Sequence, residues 1–114
     1  MQFCISSYGY AGSAEQIRNL PYQASMAASY GLPKEAALRS VTLSAAEILG
    51  VDNQIGSLDV GKDATLFISD GDPLEIRTNI IQAYIQGKKT DMRDRHKRLY
   101  SKFEEKYRQL EILK

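Results

Sequence analysis

The chain has 114 residues, of which 43% are hydrophobic and 25% are charged, and its formal net charge is +1. This composition is ordinary for a globular protein and excludes a disordered chain or a strongly acidic or basic one. The length allows one domain at most and is too short to enclose a deep catalytic cavity together with its supporting residues. We therefore expect a small folded unit and not a complete large enzyme.

The number of cysteine and histidine residues and the length of the apolar runs exclude several structural features. With one cysteine, Cys4, and one histidine, His96, the chain cannot form an internal disulfide or a zinc site of Cys and His ligands. No apolar run reaches the roughly 18 residues that a membrane span requires. The first ten residues lack the basic start and the apolar stretch of a secretion signal. We expect no membrane partner, and a buried, unreactive Cys4 thiol.

The first residues predict a strand, and the next segment predicts a helix. Gln2–Ser6 form a short apolar run typical of a buried strand. The helix is expected to begin at Asn19 as its capping residue, to carry Pro21 in its first turn and to end at Gly31 in a left-handed conformation. Helical spacing places four residues on its apolar face: Tyr22, Met26, Ala27 and Tyr30.

Two more short helices are expected to follow. In the second helix, Leu38 and Val41 should face inward. Ser44 and Glu47 have the spacing of a capping box, in which each side chain bonds to the other residue's backbone amide at the start of the third helix. Gly50 should end that helix.

The second half predicts two strands and a long helix. Residues 64–68, "ATLFI", are too apolar for a solvated edge strand and are expected to be buried on both faces. Residues 79–86 form the next strand, and Gly87 makes a tight turn after it. The last helix is expected to be capped by Asp91. Its apolar stripe consists of Leu99, Phe103, Tyr107 and Leu110.

Two patterns look like ligand sites but have simpler explanations. Asp70 and Asp72 follow a strand, where acid pairs can hold a metal, but Asp and Gly dominate turns for backbone reasons and no third ligand lies nearby. Gly56 and Gly61 have the spacing of a phosphate-binding loop. However, Asp63 replaces the required Ser or Thr, and a strand follows where that motif has a helix. We interpret both patterns as turns.

The C-terminal helix is the strongest candidate for a binding surface. Nine of the fifteen Lys and Arg residues lie between Lys88 and Arg108, among aromatic residues that could stack on bases. Acidic residues are interspersed, and the aromatic residues coincide with the packing stripe. We favour a solvated amphipathic helix, with His96 as a surface residue, over a nucleic-acid partner. A stand-alone binding module that uses this helix for nucleic acid or a protein is the alternative.

Residues 19–89 carry "GLPKEAAL", "TLSAAEILG", "GSLDVGKDATLFI" and "DGDPLE" in that order. This segment closely resembles the C-terminal part of metal-dependent amidohydrolases, in the branch near imidazolonepropionases. The resemblance implies an α+β fragment of a (β/α)8-barrel protein. Residues 1–50 would be the last barrel strand and the helices after it, 51–90 strands of the accompanying β-sandwich, and 91–114 the amphipathic helix.

The resemblance also limits the chemistry of this chain. In the family, metal-activated water attacks a carbon–nitrogen bond that is not a peptide bond, and the eighth barrel strand ends in a metal-binding aspartate. That position falls at about Tyr8, with Ser7 before it, so no acid is available there. We assign no catalytic, cofactor-binding or metal-binding residue and expect the chain to be inactive alone. The parent protein would use zinc or another divalent metal.

The partners implied are the missing N-terminal barrel portion or a second copy of the chain. Strands that are covered on both faces in a barrel would leave apolar patches when the barrel is absent. The tail with "RHKRLY" is similar to the ending of exported members, which implies a parent exported to the bacterial periplasm. The chain would then be an expressed fragment or a truncated reading frame that begins at Met1.

Overall fold

The computed structural model describes residues 1–7 and 17–110 of the chain. Within these residues, four helices accompany one small antiparallel sheet, which confirms the mixed α and β character. In chain order the elements are α1 (Leu20–Ser29), α2 (Lys34–Ser40), α3 (Leu43–Leu49), β1 (Leu66–Ser69), β2 (Ile80–Ile85), β3 (Lys88–Thr90) and α4 (Arg95–Gln109).

The strand predicted at Gln2–Ser6 is wrong. Residues 1–7 have no regular secondary structure, and the Ile5 amide donates a hydrogen bond to the Ser40 carbonyl at 3.2 Å. A strand needs a ladder of such bonds to a neighbouring strand. In the described part of the chain no strand lies beside this segment.

α1 packs on α2 through small residues, and the prediction of its apolar face is wrong. Ala24 of α1 and Ala37 of α2 are fully buried, whereas Tyr22, Met26 and Tyr30 are exposed. Alanine lets two helix backbones approach closely, so the two helices meet on their alanine faces. Nothing in the described residues covers the larger side chains on the opposite face of α1.

Leu38 of α2 is also more exposed than predicted. Its relative exposure is 37%, whereas Val41, which was likewise expected to face inward, packs against the buried cluster. Leu38 borders an open groove, described below, that no other element of the described chain fills. The prediction that the Leu38 side chain faces inward is therefore wrong.

Glycine and proline positions bounded the helices correctly, whereas the polar caps did not form. Gly31 and Gly50 both have positive φ at the ends of α1 and α3. The Asn19 side chain makes no capping hydrogen bond, and Thr42, not Ser44, is the N-cap of α3. The Glu47 carboxylate does not close a capping box. It accepts hydrogen bonds of 2.7 Å from two side chains, those of Gln2 and Arg39.

The sheet has the order β1-β2-β3, with antiparallel pairing throughout. Gln86 and Gly87 form the two-residue turn between β2 and β3, with φ values of 50° and 77°, which is the left-handed geometry of a tight hairpin. Phe67 and Ile68 of β1 are each 47% exposed. Burial of β1 on both faces is therefore not achieved, because no helix of the described residues packs on this sheet.

Leu74 is the largest side chain of the buried cluster, although it lies in a loop after β1. It is 3% exposed and packs with Ala24 and Ala37. The Asp72 carboxylate accepts a hydrogen bond from the Leu74 amide at 2.9 Å and so shapes the turn that presents this side chain. Lys34 at the start of α2 donates to Asp72 at 3.3 Å and to Glu75 at 3.1 Å. These contacts join the sheet to the helices.

α4 begins later than predicted and packs on no other helix or strand of the described chain. Its N-cap is Asp94, whose carboxylate accepts from the Lys97 amide at 2.8 Å. Asp91 instead binds Arg93 and Arg98, and the Arg93 hydrogen bonds are the main cause that lowers the pKa of Asp91 from 3.8 to about 2. The predicted apolar stripe of α4 is exposed along its whole length.

The molecule exposes more surface than a compact protein of its mass. Its accessible surface is 9411 Å², against about 6,300 Å² for a compact monomer of 12.8 kDa. The radius of gyration is 17.9 Å, against about 13 Å for a compact chain of this length. Among the described helices, none has the length and apolar character needed to cross a membrane.

The buried cluster predicts that Leu74→Ala is strongly destabilising. Removing a buried leucine side chain leaves a cavity between α1 and α2, and we expect a loss of about 2 to 5 kcal/mol in the free energy of unfolding. Leu58→Ala is the control, because Leu58 is 83% exposed and should change stability by less than about 0.5 kcal/mol. Urea unfolding followed by circular dichroism measures both. Equal losses in the two variants would contradict the assigned core.

Candidate functional site

The main concave feature is an apolar groove between the helices and the sheet. Its volume is about 520 Å³, and it is open to solvent. Its lining comes from α2 and α3, the loop after α3, the start of β1 and the turn after β1. The lining residues are Leu38, Val41, Thr42, Ala45, Ala46, Leu49, Val51, Ile55, Gly56, Ser57, Leu58, Thr65, Leu66, Phe67 and Pro73. None of these residues is charged, so the apolar groove suits an apolar occupant.

Gly56 sets the wall of the apolar groove by its close approach to α3. Its φ is +99°, and a Cβ atom built there would lie 2.7 Å from the Ala46 Cβ and 3.1 Å from the Leu43 Cα. Such distances leave no room for a side chain, and the positive φ also favours glycine. The expectation that Gly56 serves the turn is consistent with this geometry.

The turn after Gly56 contains three side chains that are linked by hydrogen bonds: Ser57, Asp59 and Lys62. The Ser57 hydroxyl donates to the Asp59 carboxylate, and the Lys62 ammonium donates to the Ser57 hydroxyl at 2.5 Å and lies 3.4 Å from Asp59. The Ser57 hydrogen bond, followed by the Lys62 contacts, lowers the pKa of Asp59. These contacts link the three side chains across the turn.

The residues that follow this turn form hydrogen bonds to the β2–β3 hairpin of the sheet. The Asp63 amide donates to the Gln54 carbonyl at 2.8 Å, and the Gly87 amide donates to the Ala64 carbonyl at 3.0 Å. The Gln86 amide donates to the Thr65 hydroxyl at 3.1 Å. The segment that most resembles a ligand-binding loop in the sequence therefore holds β1 against the β2–β3 turn.

The two aspartates after β1 also serve their turn, as predicted. Asp70 accepts from the Asn79 amide at 2.8 Å and from the Asn79 side chain at 3.0 Å, and the side-chain bond is the first cause of its lowered pKa. Asp72 accepts from the Leu74 amide, and that bond is the main cause of its lowered pKa. Both carboxylates therefore accept hydrogen bonds from nearby residues of the chain.

The position expected for a metal-binding aspartate is only partly described. Ser7 is half-buried at the end of the first described segment, and Tyr8 lies outside the described residues. In residues 1–7 and 17–110, no group of three or more His, Cys, Asp or Glu side chains could hold a metal ion. The described residues therefore do not fit a metal centre, and no catalytic step is assigned to them.

The basic residues of α4 form a surface and not an enclosed site. Arg93, His96, Lys97, Tyr100 and Ser101 line one shallow depression on this helix. No carboxylate lines this depression, and Asp94, the acidic residue beside His96, is engaged as the N-cap of α4. Sequence reasoning located His96, Lys97, Tyr100 and Ser101 correctly on one helix, whereas Arg93 lies in the link before α4. It missed Leu74 and the Ser57–Lys62 contact, because neither has a recognisable spacing.

The chain matches the Amidohydrolase family over residues 6–102. It is 41% identical over 58 residues to "Amidohydrolase tasK" of Hapsidospora irregularis, a match that covers 51% of this chain and 6% of that protein. It is 46% identical over 41 residues to "Imidazolonepropionase" of Shewanella frigidimarina (strain NCIMB 400), covering 36% of this chain and 10% of that protein.

A solved structure is also similar. The crystal structure of an amidohydrolase from Thermotoga maritima MSB8 superposes with a TM-score of 0.64 at 34% identity and covers 68% of this chain and 20% of that one. The chain belongs to the amidohydrolase family, as the resemblance in its motifs predicted. It spans a tenth or less of the two curated relatives and a fifth of the solved one.

The packing of Gly56 predicts a difference between two glycine-to-alanine substitutions. Gly56→Ala introduces both a clash with α3 and an unfavourable φ, so we expect a loss of about 2 to 4 kcal/mol in the free energy of unfolding. Gly61 also has positive φ, +93°, but open space around it. Gly61→Ala should therefore cost only about 1 to 2 kcal/mol. Parallel denaturant curves make the comparison, and a loss at Gly61 as large as at Gly56 would argue against the contact with α3.

Proposed function

We propose that this chain is the C-terminal segment of an amidohydrolase-like hydrolase and that it is inactive alone. The reaction of the whole protein would be metal-assisted hydrolysis of a non-peptide carbon–nitrogen bond. One observation carries the proposal: the family match extends over most of this chain but over a small part of each relative. The catalytic residues of the reaction would then lie in the remainder of the protein.

The surfaces of the chain support the same proposal. β1 was expected to be covered on both faces, yet Phe67 and Ile68 are half exposed. The accessible surface also exceeds that of a compact monomer, as given above. A segment shaped to pack within a larger fold leaves apolar area of this kind when it stands alone.

The finer architecture is part of the proposal. Residues 1–50 would contribute the end of a (β/α)8 barrel, and residues 51–90 would contribute strands to a β-sandwich beside it. The sheet of β1, β2 and β3 falls wholly within the second range and α1, α2 and α3 within the first. This division agrees with the absence of any packing between these helices and the sheet among the described residues.

The proposal predicts that the purified chain neither retains stoichiometric zinc nor hydrolyses amides. We would dialyse the chain against a buffer that contains zinc and measure the retained metal by mass spectrometry. Hydrolysis would be assayed with N-acyl amino acids and cyclic amides. His96→Ala, which removes the one imidazole, is the control for weak surface binding. One zinc per chain with hydrolysis that a chelator abolishes would refute the proposal, whereas weak binding lost in His96→Ala together with no hydrolysis would agree with it.

A further inference from the structure

We draw no further inference here: the strongest candidate, the surface patch of basic and aromatic side chains along α4, is a helix face on which no other element of the described chain packs, and nothing in the structure shows what covers it.

Discussion

The burial of one loop side chain, Leu74, is the contact on which the rest of this structure depends. Among the described residues the helices pack only on helices and the strands only on strands, so loops must join the two parts. Leu74 inserts between the alanine faces of α1 and α2, and Asp72 holds the turn that presents it. Gly56 adds the second point of close approach, against α3. The apolar groove is the space left between these two attachments.

Because only loop contacts join the helices to the sheet, much of the apolar surface of the chain stays uncovered. The helices form their own backbone hydrogen bonds and the strands pair with one another. Three of the larger apolar faces nevertheless find no cover within the described residues: the aromatic face of α1, the face of β1 and the stripe of α4. Membership of the amidohydrolase family, with a match to only a small part of each relative, gives this pattern a simple physical origin. The segment carries sequence features of a larger fold.

The local backbone conformation was predictable from the sequence, whereas the contacts between residues far apart in the sequence were not. Gly31, Gly50 and Gly87 take positive φ where the sequence predicted it, because glycine determines these conformations by itself. The predicted capping box did not form: Thr42 is the N-cap of α3, and Glu47 binds Arg39 and also Gln2, which is 45 residues away in the sequence. The predicted burial of β1 failed because its covering layer is not in the described chain. The family resemblance was recognisable from the turn motifs, whereas Leu74 has no sequence pattern that marks a loop residue as core.

The central claim is that the hydrolytic function belongs to a longer protein of which this chain is one segment. The most direct test is to sequence the DNA upstream of the Met1 codon. The account predicts that the reading frame continues for at least about 200 codons, enough for the part of a (β/α)8 barrel that precedes residues 1–50, and encodes a His-x-His pair after an apolar strand. An in-frame stop codon with a ribosome-binding site directly before Met1 would contradict it, since the chain would then be made as an independent protein.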